Sequence, residues 1–500
     1  MTSNQDSRTN SSPSDEPVPE RVVSAAEPVA VPVDQPSAPA GGIWRTVKEA
    51  IAGGEHDYTS IPLGRSVFLL AVPMVLEMMM ESLFMICDAF FVSRLGVDAL
   101  ATVGLTEAMV TIVYAVAVGI SLAVTAMVAR RIGERNRAEA NTATMQAIIL
   151  GLLVALVIAL PGAILAPQLL QLMGGSESLV ASGSGYTRVI LGGAATILLL
   201  FMINAAFRGA GDAAFAMRAL WLANGINIVL DPCLIFGLGP FPELGLTGAA
   251  VATTIGRGCG VLFQLVMLGR GKGRLHITRA DIRLRSDMML RLVRVSLGGI
   301  GQYLISTSSW VILVRIVGTF GSNAVAGYTL AIRIIVFALL PSWGVCNAAA
   351  TLMGQNLGAG QPDRAEKAVW RTGLYNMVFL VAIAVIFIVK ADWLIRLFTD
   401  DPAVVAAGRS CLRLVSYGYG FYAYGMVIVQ AFNGAGDTRT PTAINFFCYW
   451  CLQLPLAFVL SHHTGLAERG VFLAITLAEA VLALVGILVF RRGSWKSHQI

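Results

Sequence analysis

Twelve apolar runs, each near the roughly 20 residues that a helix needs to cross a hydrocarbon core of roughly 30 Å, fill this chain from about residue 66 onward. They cover 66–92, 100–128, 141–165, 186–207, 213–237, 247–269, 290–317, 325–351, 369–391, 410–432, 441–461 and 470–490. The runs are continuous rather than alternating, and lipid offers the backbone no hydrogen bonds, so each run predicts an α-helix and not a barrel strand. With 56% hydrophobic and 13% charged residues among 500, the composition excludes an ordinary soluble domain.

The ends of the chain differ from its middle. Residues 1–58 begin SNQDSRTNSSPSDEPVPE after Met1 and Thr2 and hold too little apolar material to fold alone, which predicts a disordered cytoplasmic tail. A short interfacial helix from Ile43-Trp44-Arg45 is the second reading of its last part. Residues 493–500 are expected to be a short cytoplasmic tail. No basic segment followed by a short apolar core starts the chain, so the first run is expected to direct insertion. The seven cysteines lie in or beside apolar runs and read as small hydrophobes, and Cys448-x-x-Cys451 has no His or further Cys near it in sequence. Neither a metal site nor a cofactor is expected.

Charge alternates along the connections. Arg130, Arg131, Arg135 and Arg137 follow the second run; Arg270, Lys272, Arg274, Arg279, Arg283 and Arg285 follow the sixth; Arg364, Lys367 and Arg371 follow the eighth. Short basic loops stay in the cytoplasm, which places both termini there; the expected location is the plasma (inner) membrane. Lys390, Arg396, Arg409 and Arg413 run against this scheme, sharing their connection with Asp392, Asp400 and Asp401. Membrane topology alone accounts for the basic loops, so no nucleic-acid partner is expected.

The chain repeats itself. Phe207-Arg208-Gly209-Ala210-Gly211-Asp212 matches Phe432-Asn433-Gly434-Ala435-Gly436-Asp437, an offset of 225 residues, and the same offset pairs LGVDALATVGL from Leu95 with FGSNAVAGYTL from Phe320, Gly119 with Gly344, and Gly133 with Gly358. The offset spans six runs, an even number. Two halves of the same topology follow, related by an axis along the membrane normal. The predicted fold is thus an all-α integral membrane protein of two homologous six-helix bundles, an N-lobe at 59–275 and a C-lobe at 276–492. Gly209, Gly211, Gly434 and Gly436 end their helices in the repeated motif, either as turns that suit glycine or as hinges.

Acids inside the runs are few, and an intramembrane carboxylate normally faces a partner or an ion pathway. Glu77, Glu81 and Asp88 share one helix face, and so do Asn227 and Asp231, four residues apart. Under the repeat, Asp88, Asn227 and Asp231 correspond to Leu313, Leu452 and Leu456, which assigns ion chemistry to the N-lobe and an apolar wall to the C-lobe. Asp88 and Asp231 are a candidate pair for sharing a proton. Glu479 is a further candidate in the last run, and Arg257, Arg315 and Arg333 are expected to pair with acids or helix ends. Met78-Met79-Met80 and Tyr417, Tyr419, Phe421, Tyr422 and Tyr424 are candidates for lining an adaptable cavity.

Pro73, Asp88-Ala89-Phe90-Phe91-Val92, the two GAGD motifs, NIVLDPCLIFGLG and GQNLGAGQPDRAEKA together resemble the multidrug and toxic compound extrusion (MATE) family, and its DinF-like branch in particular. The resemblance covers about residues 60–492. It implies export of small organic, often cationic or amphipathic compounds in exchange for H+ or Na+ by alternating access, through a monomer surrounded by membrane lipid. It also implies a cation-coupling cluster of Asp88, Asn227, Asp231 and Thr253, with Thr254 the alternative to Thr253. Another branch uses acids in the seventh and tenth runs, where this chain has Gln302 and no acid. A flippase for a lipid-linked or amphipathic precursor is the alternative function. An intramembrane aspartyl protease, suggested by Gly-x-Gly-Asp, is a distant one, and neither a Walker motif nor a nucleophile elbow is present.

Overall fold

The computed structural model describes residues 43–498. Most of the expected N-terminal tail therefore lies outside the described residues. Helix α1 (Ile43–Ala52) precedes the first lobe, which consists of α2 (Leu63–Ser93), α3 (Val97–Gly133), α4 (Arg137–Ile164), the short α5 (Ala166–Leu172), α6 (Glu177–Gly192), α7 (Ala194–Ala210), α8 (Ala213–Phe236) and α9 (Leu246–Arg270). A linker with one 3-10 turn at Arg279–Asp281 leads to the second lobe. This contains α10 (Ser286–Gly318), α11 (Ser322–Gly358), α12 (Pro362–Arg396), α13 (Pro402–Ser416), α14 (Tyr419–Ala435), α15 (Arg439–Asn445), a π-helical segment (Phe446–Gln453), α16 (Leu454–His463) and α17 (Glu468–Arg491).

Among the described residues, eleven passes are individually long and apolar enough to cross a membrane. The twelfth, 402–435, is divided at Gly418 into α13 and α14. Its equivalent in the first lobe divides at Gly193 into α6 and α7, with φ −82° and ψ 8° at Gly193 against φ −84° and ψ −6° at Gly418. The sequence runs hide these breaks because the flanking residues stay apolar. Helices α3 and α11 have 37 residues each, about 55 Å at 1.5 Å per residue, so they extend well past the hydrocarbon core that fixed the expected boundaries.

The repeat seen in sequence is a repeat in space. Gly211 and Gly436 both cap their helices in the left-handed region, at φ 89° and 87°, where a side chain would be strained. Gly209 and Gly434 lie inside the same helices against the carbonyls of Thr125 and Ala350, themselves 225 residues apart. Between the lobes the contacts are exchanged: a methyl on Gly133 of α3 would strike the Gln355 carbonyl of α11, and one on Gly358 of α11 would strike the Arg130 carbonyl of α3. Such reciprocity is what a two-fold axis between the bundles requires.

The first lobe's core takes in Met288, Leu292 and Val295 from the start of α10. One apolar cluster runs from Val92 to Val295 and a second from Leu313 to Ile475, while a third joins Tyr58, Leu70 and Met74 to Ala348 and Leu352 across the seam. Hydrogen bonds between lobes gather on the side of that third cluster, where Thr351 donates to the Arg208 carbonyl at 3.0 Å and Gln355 to that of Gly209 at 2.9 Å. On this side also lie α1, the connections at 134–136, 211–212, 271–285, 359–361 and 436–438, and the C-terminal end. Arg137 meets Glu55 at 2.8 Å, Arg364 donates to the carbonyls of Tyr58 and Ile61, and Lys496 meets Asp363 at 3.2 Å. It is called the basic face below.

Several expectations are corrected here. Residues 43–58 are not tail: α1 is amphipathic, Glu49 pairs with Arg65 at 2.7 Å, Arg218 donates to the carbonyls of Ile51 and Ala52, and Tyr58 is buried. Nor is 493–498 free, because Trp495 is fully buried and stacks on Phe490 with ring centroids 4.8 Å apart. Of the basic residues that conflicted with the charge rule, Arg396 and Arg409 share Asp392 at 2.7 and 3.6 Å, and Arg413 donates to the Ile388 carbonyl at 3.0 Å.

Candidate functional site

The polar residues of α2 face into the first lobe, each towards a different helix. Glu77, the deepest, accepts from Arg208 Nη1 at 2.7 Å and from Asn204 Nδ2 at 3.0 Å, both on α7. Asn204 in turn accepts from Gln264 of α9 at 2.6 Å. One turn further along α2, Glu81 accepts from Asn224 of α8 at 2.9 Å. The expected acidic stripe is therefore real, but two of its members are bonded to fixed partners. Glu77 is 1% exposed and its charge is already matched by a guanidinium.

Three of the four residues named for the cluster, Asn227, Asp231 and Thr253, meet on α8 and α9, while Asp88 lies on α2. The Asn227 amide donates to Asp231 Oδ1 at 3.3 Å and to Thr253 Oγ1 at 3.0 Å, which uses both of its hydrogens. Asp231 is fully buried and Asn227 nearly so. Two acceptors are then left over: Asn227 Oδ1 and Asp231 Oδ2 are buried with no hydrogen-bond partner among the described residues. Thr253 is the threonine of this cluster, since Thr254 spends its hydroxyl on the Ala250 carbonyl of its own helix at 2.9 Å. Asp88 lies close enough for its charge to act on Asp231, with Arg257 and Glu107 also within electrostatic reach of Asp88. Arg257 is held by the Tyr114 hydroxyl at 2.9 Å and lies over the Phe84 ring at 5.9 Å.

Glu107 of α3 is an acid that the sequence reading does not single out. Its signal was present, an acid inside the second apolar run. Glu107 is exposed and lies within electrostatic reach of Arg333 on α11. Arg333 and Arg315 are both exposed, and the pairing expected of Arg315 is not found among the described residues.

The second lobe is not simply an apolar wall. Gln302 and Asn433 exchange hydrogen bonds at 3.0 and 3.1 Å, and Gln430 joins them by accepting from Asn433 at 2.9 Å and donating to Asn347 at 3.1 Å. Glu479 is 6% exposed and accepts from the Tyr449 hydroxyl at 3.1 Å, and among the described residues no cationic side chain is bonded to it. It lies apart from the Asn227 cluster, in the other bundle. The aromatic run does not share one surface: Tyr419 is buried in the second-lobe core while Tyr417 and Phe421 are exposed. Met79 is exposed, between partly buried Met78 and Met80. Cys448 is buried and Cys451 exposed, and among the described residues no group of His, Cys, Asp and Glu is placed to hold a metal.

One family model, MatE, matches residues 73–233 and matches again at 300–459. The chain belongs to the MatE family. Its two matches fall one in each lobe, as a duplicated MatE unit should. The probable multidrug resistance protein YoeA of Bacillus subtilis (strain 168) is 27% identical over 442 residues, which cover 87% of this chain and 95% of the relative. The FAD transporter of Shewanella oneidensis is 27% identical over 430 residues, covering 86% and 94%. A solved structure described as the outward-facing conformation of a multidrug resistance MATE family transporter of the MOP superfamily has a TM-score of 0.83 at 28% identity, covering 88% of this chain and 98% of that one. This MatE protein is accordingly a membrane transporter and not an enzyme, and the protease reading falls away.

Proposed function

We propose that the protein is a secondary antiporter that exports small organic, cationic or amphipathic compounds in exchange for H+ or Na+. The observation that carries this reading is the pair of buried, unpartnered acceptors, Asn227 Oδ1 and Asp231 Oδ2. Leaving buried acceptors unmatched costs about 1–3 kcal/mol for each, so the cluster is built to take up something positive. A proton on Asp231 satisfies one of them; a sodium ion among the oxygens of Asp231, Asn227, Thr253 and Asp88 satisfies both. Either species would be cargo moving inward, and Asp88 supplies the negative charge that draws it in.

The interlobe bonds near Arg208 and Gln355 hold the basic face shut, which supports a cleft open on the opposite side. With the basic face in the cytoplasm, as the charge rule has it, both termini are cytoplasmic and the cleft faces outward in a plasma-membrane protein. Cation uptake from outside then changes the packing of α2 and α8 and releases the exported compound, and cation loss to the cytoplasm restores the drug-accepting form. The relatives named for multidrug resistance support a broad organic substrate class, and the relative named an FAD transporter supports a cleft that admits large aromatic compounds.

The test is efflux of a fluorescent organic cation from proteoliposomes under an imposed proton or sodium gradient, with Asp88→Asn and Asp231→Asn beside the parent. Efflux that follows one gradient and disappears in both variants supports the reading and names the ion. Efflux that is untouched in both variants removes the site. A cation that is never exported, with a short-chain lipid precursor moved instead, turns the assignment to the flippase alternative.

A further inference from the structure

On the basic face, between the lobes, lies a cavity of about 700 Å3 into which five arginines converge. Arg130 and Arg131 come from the end of α3, Arg291 and Arg294 from the first turns of α10, and Arg439 from the start of α15. Two carboxylates share the lining. Glu134 is engaged by Arg131 at 2.7 Å and Arg130 at 3.5 Å, and Asp437 by the backbone and hydroxyl of Thr440 at 3.1 and 2.6 Å. Among the described residues Arg291, Arg294 and Arg439 have no acidic partner, and Arg130 Nη1 is buried without a hydrogen bond.

The pseudo-two-fold axis provides an internal control. Stepping back 225 residues from 436–439 gives 211–214, and from Arg291 and Arg294 gives Ser66 and Leu69; stepping forward from Arg130 gives Gln355. No arginine stands at any of these positions. That equivalent place, lined by Arg218 and Lys272 together with Glu49, Glu55 and Asp212, holds a cavity of only about 210 Å3, because the chain's own segment before α2 occupies it. Tyr58 donates to the Gly211 carbonyl at 3.3 Å and joins Leu69, Leu70 and Ala213 in one apolar cluster. One of two equivalent sites is thus largely occupied by protein and has its cations matched by acids, and the other is roomy and lined by five arginines against two carboxylates.

The rule that keeps basic residues in the cytoplasm explains charge on this face. It does not explain why arginines from both lobes point into one cavity, where like charges oppose closure of the seam. We propose that this cavity binds a phosphate-bearing anion, either a lipid headgroup or a soluble phosphate, which bridges the lobes. Guanidinium forks match phosphate oxygens two at a time, and the volume lies within the range of small-molecule sites. Since α3 belongs to one lobe and α10 and α15 to the other, the site is complete only while the lobes are closed on this face. By linkage the anion favours that state, whatever ion drives transport.

The test uses purified full-length protein in detergent, titrated with inorganic phosphate, with a short-chain phosphatidylglycerol, with short-chain phosphatidylcholine, and with chloride at matched ionic strength. Three proteins are compared: the parent, Arg291→Gln/Arg294→Gln/Arg439→Gln, and a control with the same charge loss on the same face, Arg270→Gln/Arg279→Gln/Arg283→Gln. The expected result is saturable binding that weakens at least tenfold in the first triple variant and less than twofold in the control. Arg291→Lys/Arg294→Lys/Arg439→Lys, which keeps the charge, should weaken it severalfold and covers the case in which the glutamine variant does not fold. Tighter binding of phosphatidylglycerol than of phosphate assigns the source to lipid; the reverse assigns it to a soluble phosphate. Hydrogen exchange should slow at both 130–136 and 286–295 on binding. Equal loss in the control, an equal response to phosphatidylcholine or chloride, or protection confined to one lobe overturns the proposal.

Discussion

Glu77 and Arg208 form a buried ion pair at 2.7 Å, and the residues 225 positions beyond them, Gln302 and Asn433, meet as a neutral amide pair at 3.0 Å. The same joint between the first and fourth passes of a lobe is therefore built once with charge and once without. Arg208 is 11% exposed on its side chain and Glu77 1%, so neither is solvated by bulk water.

Removing one partner of the pair should be costly and replacing both should not. Glu77→Gln leaves a buried guanidinium without its counter-charge, which in other buried pairs costs about 3–5 kcal/mol. The double variant Glu77→Gln/Arg208→Asn copies the second lobe's solution and should recover most of the loss. Thermal unfolding in detergent checks this: a double variant as unstable as the single one would show that the joint depends on charge.

The ion cluster should behave in the opposite way. Asp231→Asn removes a buried carboxylate whose second oxygen has no partner, so the folded protein should lose no stability while cation-driven efflux falls more than tenfold. Thr253→Ala, which removes the hydroxyl that accepts from Asn227, should lower efflux more than Thr254→Ala does. The readouts are melting temperature and proteoliposome efflux on the same preparations. Equal effects of the two threonine variants would count against the cluster as drawn.

Glu479 is bonded to a hydroxyl and, among the described residues, to no cation. Glutamine has the same shape and can still accept from Tyr449, so Glu479→Gln should change efflux by less than twofold. A tenfold loss would instead make the second lobe a participant in cation movement.

Gly133 and Gly358 should be interchangeable in their effects. Alanine at either forces a methyl onto a carbonyl of the opposite lobe, prising open the basic face. Each variant should lose a similar share of stability, typically about 1–3 kcal/mol for overpacking, and hydrogen exchange should rise in both α3 and α11. Strongly unequal losses would mean that the seam is not two-fold.

Much of this architecture was readable in advance because two strong periodicities carry it. Apolar length marked the passes, and the offset joining Phe207–Asp212 to Phe432–Asp437 marked the duplication. The cluster of Asn227, Asp231 and Thr253 came with the family resemblance and then proved to be one hydrogen-bonded group. What stayed hidden depends on contacts between distant segments. The Glu77–Arg208 pair spans 131 residues, and nothing local distinguishes Glu77 from an ion ligand. Tyr58 and Trp495 sit in polar surroundings in the sequence, and only the seam and the end of α17 supply the apolar seats that order them. The breaks at Gly193 and Gly418 leave hydropathy unchanged, so a window that averages over them sees one helix.

The exchanged contacts of Gly133 with Gln355 and of Gly358 with Arg130 have a genetic consequence. A lesion at either seat strains the same joint from the opposite side, so its remedies are shared between the halves of the gene. Selection for restored growth after Gly133→Ala should return second changes around residue 355, and after Gly358→Ala around residue 130. The ancient duplication would then be legible in the pattern of suppressors as well as in the fold.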